Sequence, residues 1–244
     1  MRVYKKCLSV AAVLMGGVIL FSACSKSSSD TSQETDQVIS STQDEHIEEE
    51  HIEIEEKTGL NFPYELENGK LLVNSLFQSS IINPDCGGES GENIATLEIL
   101  NTSDEFLKEA KVTVKMTDGT EIPFIITNIP AGKKVWAFAT DNSAIELNPS
   151  CEKINCESEF LDVLPVMADS LNYEVDETTV TLNNLTEESL AGLTIGCHCL
   201  FDDVYFGGLT YSYKVDGLSA NSSITVDADD CYLGSAEVVY ITQN

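Results

Sequence analysis

The residues best suited to chemistry in this 244-residue chain are eight cysteines, three histidines and 41 carboxylates. Cys197-His198-Cys199 is the densest group of ligand and nucleophile types. On a strand, Cys197 and Cys199 point to one face and His198 to the other, so the three do not converge on one ion. The two cysteines are therefore read as core packing or structural disulfide partners rather than metal ligands or catalytic thiols. His198 is the last of the histidines, after His46 and His51, so a Ser–His–Asp or Cys–His arrangement in a folded region would have to use it. The carboxylates are too many for spacing to single out an acid–base pair. Asp202, Asp203, Asp227, Asp229 and Asp230 are the oxygen ligands that a loop calcium site would draw on, but no EF-hand spacing joins them. Gly87-Gly88 and Gly207-Gly208 lack the lysine-threonine and helix of a phosphate cradle. The expectation is no enzyme, no cofactor, no metal site and no small-molecule substrate.

Beyond Cys24 the cysteines are Cys86, Cys151, Cys156, Cys197, Cys199 and Cys231. Six cysteines allow 15 pairings. Cys151 and Cys156 flank the polar run Glu152-Lys153-Ile154-Asn155, which suggests a local loop closure, and Cys197 or Cys199 can reach Cys231 across strands. The candidate disulfide residues are thus Cys151, Cys156, Cys199 and Cys231, in a chain whose N-terminus directs it to a compartment where disulfides persist.

That N-terminus has the parts of a secretory signal. Arg2, Lys5 and Lys6 are its positive end, and Leu8 to Phe21 is an apolar run too short to span a bilayer as a helix. Leu20-Phe21-Ser22-Ala23-Cys24 follows, and it resembles the bacterial lipobox, with Phe21 where Leu is more usual. The resemblance implies cleavage after residue 23, diacylglycerol on the Cys24 thiol, and attachment to the extracytoplasmic face of a bacterial membrane. Two acyl chains suffice for stable anchoring.

From Ser25 to Lys57 serine, threonine, glutamine and carboxylates dominate, and Asp44 to Glu56 carries no positive charge. A helix there would stack like charges four residues apart, so residues 24–57 read as a disordered acidic tether with a reach of about 30 Å. His46 and His51 within it are the remaining metal-ligand types, on a segment that fixes no geometry. The chain has no arginine beyond Arg2, and its net charge of −28 excludes a nucleic-acid binder.

From residue 58 onward the pattern is of short alternating strands. Val112, Val114 and Met116 alternate with polar residues, as do Ile122, Phe124 and Ile126, and Asp118-Gly119 between them is a hairpin signal. Leu209, Tyr211, Tyr213 and Val215 alternate in the same way, and Trp136 shares a strand face with Phe138. The two halves also match each other. At an offset of 83, Leu97 and Ile99 fall on Val180 and Leu182, Asn101-Thr102-Ser103 on Asn184-Leu185-Thr186, and Val114 and Met116 on Cys197 and Cys199. Past the hairpin the offset becomes 89, as if six extra residues stood around Asp202 to Gly208 in the second copy.

The expectation is therefore an all-β chain of two antiparallel β-sandwich modules, 58–163 and 164–244, behind the signal segment 1–23 and the tether 24–57. The run His198-Cys199-Leu200-Phe201-Asp202, with Val114-Lys115-Met116-Thr117-Asp118 in the first copy, resembles the aromatic-x-aliphatic-aromatic-Asp strand end of the immunoglobulin-like FxLYD modules of bacterial surface lipoproteins. That resemblance implies architecture and carries no catalytic residues. The function expected is a non-enzymatic, lipid-anchored surface protein whose partners are the membrane, through its anchor, and a protein or envelope component. The alternative is a cation-binding or metal-handling lipoprotein.

Overall fold

The computed structural model describes residues 59–162, 166, 167 and 169–243. The signal segment, Cys24, the tether and its His46 and His51 lie outside the described residues.

The described residues form strands joined by turns, with three short 3-10 segments and no α-helix. The first seven strands are β1 (Tyr64–Leu66), β2 (Leu71–Asn83), β3 (Glu89–Asn101), β4 (Phe106–Met116), β5 (Glu121–Ile129), β6 (Lys134–Phe138) and β7 (Cys151–Leu161). The next seven are β8 (Leu171–Asp176), β9 (Thr179–Asn184), β10 (Leu190–Phe201), β11 (Val204–Phe206), β12 (Tyr211–Leu218), β13 (Ser223–Asp227) and β14 (Ser235–Gln243). The alternation of β4 and β5 puts Val112, Val114, Ile122, Phe124 and Ile126 wholly inside. Gly119 closes their hairpin at φ 90°, and the Asp118 carboxylate caps it by accepting from the Thr120 N–H at 2.8 Å.

Each half is a sandwich built by the same neighbour relations. In the first, β2 pairs β3 and β3 pairs β6, while β4 sits between β5 and β7. In the second, β8 pairs β9 and β9 pairs β13, while β10 sits between β12 and β14. Two apolar cores result. Leu71, Leu97, Ile99, Val112, Phe124 and Val135 belong to one, and Val180, Leu182, Leu193, Ile195, Cys197 and Val238 to the other.

Trp136 is only half-buried, while Phe138, 1% exposed, belongs to the first core. Val135 and Ala137 point into that core as well, and both are fully buried. Trp136 lies on the opposite face, edge-on to Phe77, with its indole N–H on the Glu98 carboxylate at 2.9 Å. Phe138 packs 5.0 Å from Phe206, a residue of the second half. The outer face of β6 is apolar because the other sandwich covers part of it.

The cover is β11. It turns back antiparallel on the end of β10, pairing Leu200 with Tyr205, and runs parallel to β6, pairing Tyr205 with Val135 and Phe206 with Trp136. One sheet therefore continues through both sandwiches in the order β1-β2-β3-β6-β11-β10-β12, with β14 on the other side of β10. The residues that do this, 202–208, are the stretch the first copy lacks.

Candidate functional site

The seam around β11 holds the most buried polar chemistry of the described residues. Asp85 lies in the 3-10 turn Pro84–Cys86 of the first sandwich. Its carboxylate accepts from the Phe138 N–H at 2.8 Å, Gly208 N–H at 2.7 Å and Leu209 N–H at 3.0 Å, so one side chain ties β6 to the β11–β12 connection. Asn83 orients that turn, accepting from the Asp85 N–H and donating to the Ala139 carbonyl and the Asn142 side chain. Burial pushes the Asp85 carboxyl up to about 6 against the opposing pull of the three N–H donors. Glycine is required at 208, because a Cβ there would stand 2.3 Å from the Ile125 carbonyl oxygen.

His198 faces the same seam from β10, opposite in direction to Cys197 and Cys199, which point into the second core. Its ring stacks on Tyr205 with centroids 4.5 Å apart. Nε2 lies 2.7 Å from the Thr127 carbonyl and 3.1 Å from the Thr210 hydroxyl. Nε2 must carry the proton to donate to a carbonyl, which leaves Nδ1 as a buried acceptor with no hydrogen-bond partner. Burial pushes the imidazolium pKa down to about 4, so the ring is neutral and enclosed. Its geometry is that of a pin from β10 of one sandwich to β5 of the other, with Thr210, just before β12, beside it. Beside it Lys133, from the first sandwich, pairs with Glu237 of β14 at 2.7 Å and lies over the Tyr205 ring at 5.6 Å.

The cysteines are placed unevenly. Cys151 and Cys156 do not flank a loop: both belong to the continuous strand β7. Five residues of strand separate their α-carbons by about 16 Å, far beyond the reach of a disulfide. The expected local closure is corrected by the pairing of β7 with β4, which stretches the polar run between them. Cys86 is half-buried in the turn that carries Asp85. Cys199 and Cys231, by contrast, are both buried in the second core.

The acidic loop residues fall at one end of the second sandwich. Asp202 and Asp203 both take positive φ, 46° and 65°, to make the tight turn from β10 to β11. Asp229 and Asp230 lie in a 3-10 turn, where Asp230 accepts from the Tyr213 hydroxyl at 2.9 Å. Among the described residues no three His, Cys, Asp or Glu side chains are grouped to hold a metal ion. What the acids surround is apolar. Phe201, Tyr232 and Leu233 are 41%, 61% and 42% exposed, and Gly234 brings their two turns together, since a Cβ on it would overlap the Leu200 carbonyl at 2.0 Å. Three large apolar side chains in an acidic rim make a tip that the sequence reading did not single out. The signal was the Tyr232-Leu233 pair between acidic and glycine residues, with no alternation to bury it.

No family model matches the chain, and neither does any curated protein, so the functional reading rests on the seam, the tip and the N-terminal motif.

Proposed function

We propose that this is a non-enzymatic lipoprotein of the bacterial envelope, held to the extracytoplasmic face of a membrane by diacylglycerol on Cys24. Its acidic tether carries the two fused sandwiches as one binding head. The observation that carries the binding reading is the tip, where Phe201, Tyr232 and Leu233 stand exposed beside Asp202, Asp203, Asp229 and Asp230. Exposed aromatics on a charged rim suit a partner surface with lysines or arginines around an apolar patch. Strain supports it too: two aspartates at positive φ form a turn for which Asn-Gly would be the relaxed choice. Against catalysis stands His198, whose ring is fully buried and engaged on Nε2.

The anchoring part is tested by feeding cells an alkyne-bearing fatty acid and fractionating their membranes. The wild-type chain is expected to take the label and sediment with membranes. Cys24→Ala is expected to lose both properties. Undiminished label and membrane retention in that variant would refute the anchor.

A further inference from the structure

Cys199, on β10, and Cys231, at the end of the 229–231 turn, are 2% and 0% exposed and belong to one apolar cluster, the second core. The turn is fixed by main-chain bonds around Cys231, whose N–H donates to the Ala228 carbonyl at 2.9 Å and whose carbonyl accepts from Gly234. Gly234 in turn abuts the Leu200 carbonyl, next to Cys199. The turn that carries Cys231 is thus held against the end of β10 that carries Cys199.

We infer that Cys199 and Cys231 form a disulfide, the one pairing of the six cysteines beyond Cys24 that this fold selects. Cys151 and Cys156 are too far apart on β7 to join. Cys197 is two residues from Cys199 on the same face of β10 but pairs with Val238 of β14, whereas Cys199 pairs with Ala236, one step nearer the turn that carries Cys231. Cys86 lies at the seam, outside both apolar cores.

The chemistry is a two-electron exchange with a low-molecular-weight or protein disulfide. The Cys199 thiolate attacks one sulfur of that oxidant and releases the first thiol. The Cys231 thiol gives up its proton and displaces the second, leaving one new S–S bond and two reduced thiols. The site favours Cys199 as the attacking sulfur. The Cys231 thiol and the Leu233 and Gly234 N–H groups bring its pKa down to about 7, while contact with Cys199 and burial hold Cys231 up. The bond would close a loop of about 32 residues that contains β11, β12 and β13, and so staple the insert that makes the seam. In the cell this step uses the oxidising compartment of the proposed function. The bond itself is tested in a tube, so a failed anchor and a failed disulfide give separate results.

The full-length chain in detergent is refolded from urea with oxidised glutathione present, so that the thiols are reachable before the core closes, then alkylated under denaturing conditions without reductant, digested and mapped. Cys199 and Cys231 are expected in one cross-linked peptide, with Cys86, Cys151, Cys156 and Cys197 alkylated. The link should persist in Cys197→Ala and vanish in Cys199→Ala. Reductant should lower the melting temperature of the oxidised wild type by about 10 °C and leave Cys231→Ala unmoved. Alkylation of both Cys199 and Cys231 after oxidation, or a link that survives Cys199→Ala and is lost in Cys197→Ala, overturns the inference.

Discussion

Asn101 and Asn184, 83 residues apart, hold the same turn in the two sandwiches. Each carboxamide donates to the carbonyl four residues ahead, Asn101 to Glu105 at 2.9 Å and Asn184 to Glu188 at 2.8 Å. Each also donates to the end of the strand beyond the next hairpin, to Ile129 at 3.0 Å and to Leu218 at 3.2 Å. Each Oδ1 accepts from the N–H and hydroxyl two residues ahead, on Ser103 and on Thr186. Both side chains are buried. One amide thus satisfies several main-chain groups where β3 crosses to β4, and again where β9 crosses to β10.

Removing either amide strands those groups inside. Asn101→Ala and Asn184→Ala are each expected to cost about 3 kcal/mol, the range for buried polar groups left unpaired. Asn148→Ala, on an exposed loop, should stay within about 0.5 kcal/mol. Urea unfolding of the three variants measures this, and equal values for buried and exposed sites would contradict the role assigned to the pair.

The seam contains two titrations of opposite sign. His198 holds its proton less firmly folded, at about 4, than at its ordinary 6.5, so its contribution is present above 6.5 and is lost as pH falls towards 4. Asp85 holds its proton more firmly folded, at about 6 against 3.8, so its contribution grows as pH falls through 6 towards 3.8. Between pH 7 and 4.5 each amounts to about 2 kcal/mol, and they largely cancel. His198→Gln is expected to lose less stability on acidification than the wild type, and Asp85→Asn to lose more. Unfolding free energies at the two pH values decide it, and parallel changes in all three proteins would remove both groups from the linkage.

The insert is what makes one body of two sandwiches. Replacing Asp202–Gly208 with Thr117-Asp118-Gly119-Thr120, the β4–β5 turn of the first sandwich, deletes β11 with its pairing to β6 and the Gly208 N–H that Asp85 accepts. The expected product is two folded sandwiches that melt in separate transitions and give a larger radius of gyration in solution scattering. A single transition with an unchanged radius would show that other contacts suffice.

At the tip, Phe201→Ser combined with Tyr232→Ser is expected to weaken binding of a synthetic alternating lysine–leucine peptide by about tenfold or more, as loss of exposed aromatic anchors does. Leu147→Ser, which removes a 75% exposed leucine from the first sandwich, should leave binding unchanged. Titration calorimetry at low and high salt separates the apolar share from the charge. An equal effect of Leu147→Ser would mean that the peptide reads overall acidity and not the tip.

The strands and hairpins were legible because period-two alternation and turn chemistry are local properties: Val112, Val114 and Met116 declare their buried face within five residues. The matched Asn101 and Asn184 were legible for a related reason, since one turn needs the same polar side chain wherever it recurs. The seam was not. Residues 202–208 stood out as a gap between the two copies, yet nothing in Val204-Tyr205-Phe206 says that it pairs in parallel with Lys134–Trp136, about 70 residues earlier. That pairing also brought Phe206 onto β6, where it helps bury Phe138, while Trp136 stays half-buried beside Phe77. Likewise the polar run between Cys151 and Cys156 read as a loop, because only the β4 partner strand stretches it. Composition and alternation determine which residues are buried in a strand of known neighbours. Who the neighbours are depends on contacts between residues distant in sequence, and those exist only once the chain has folded.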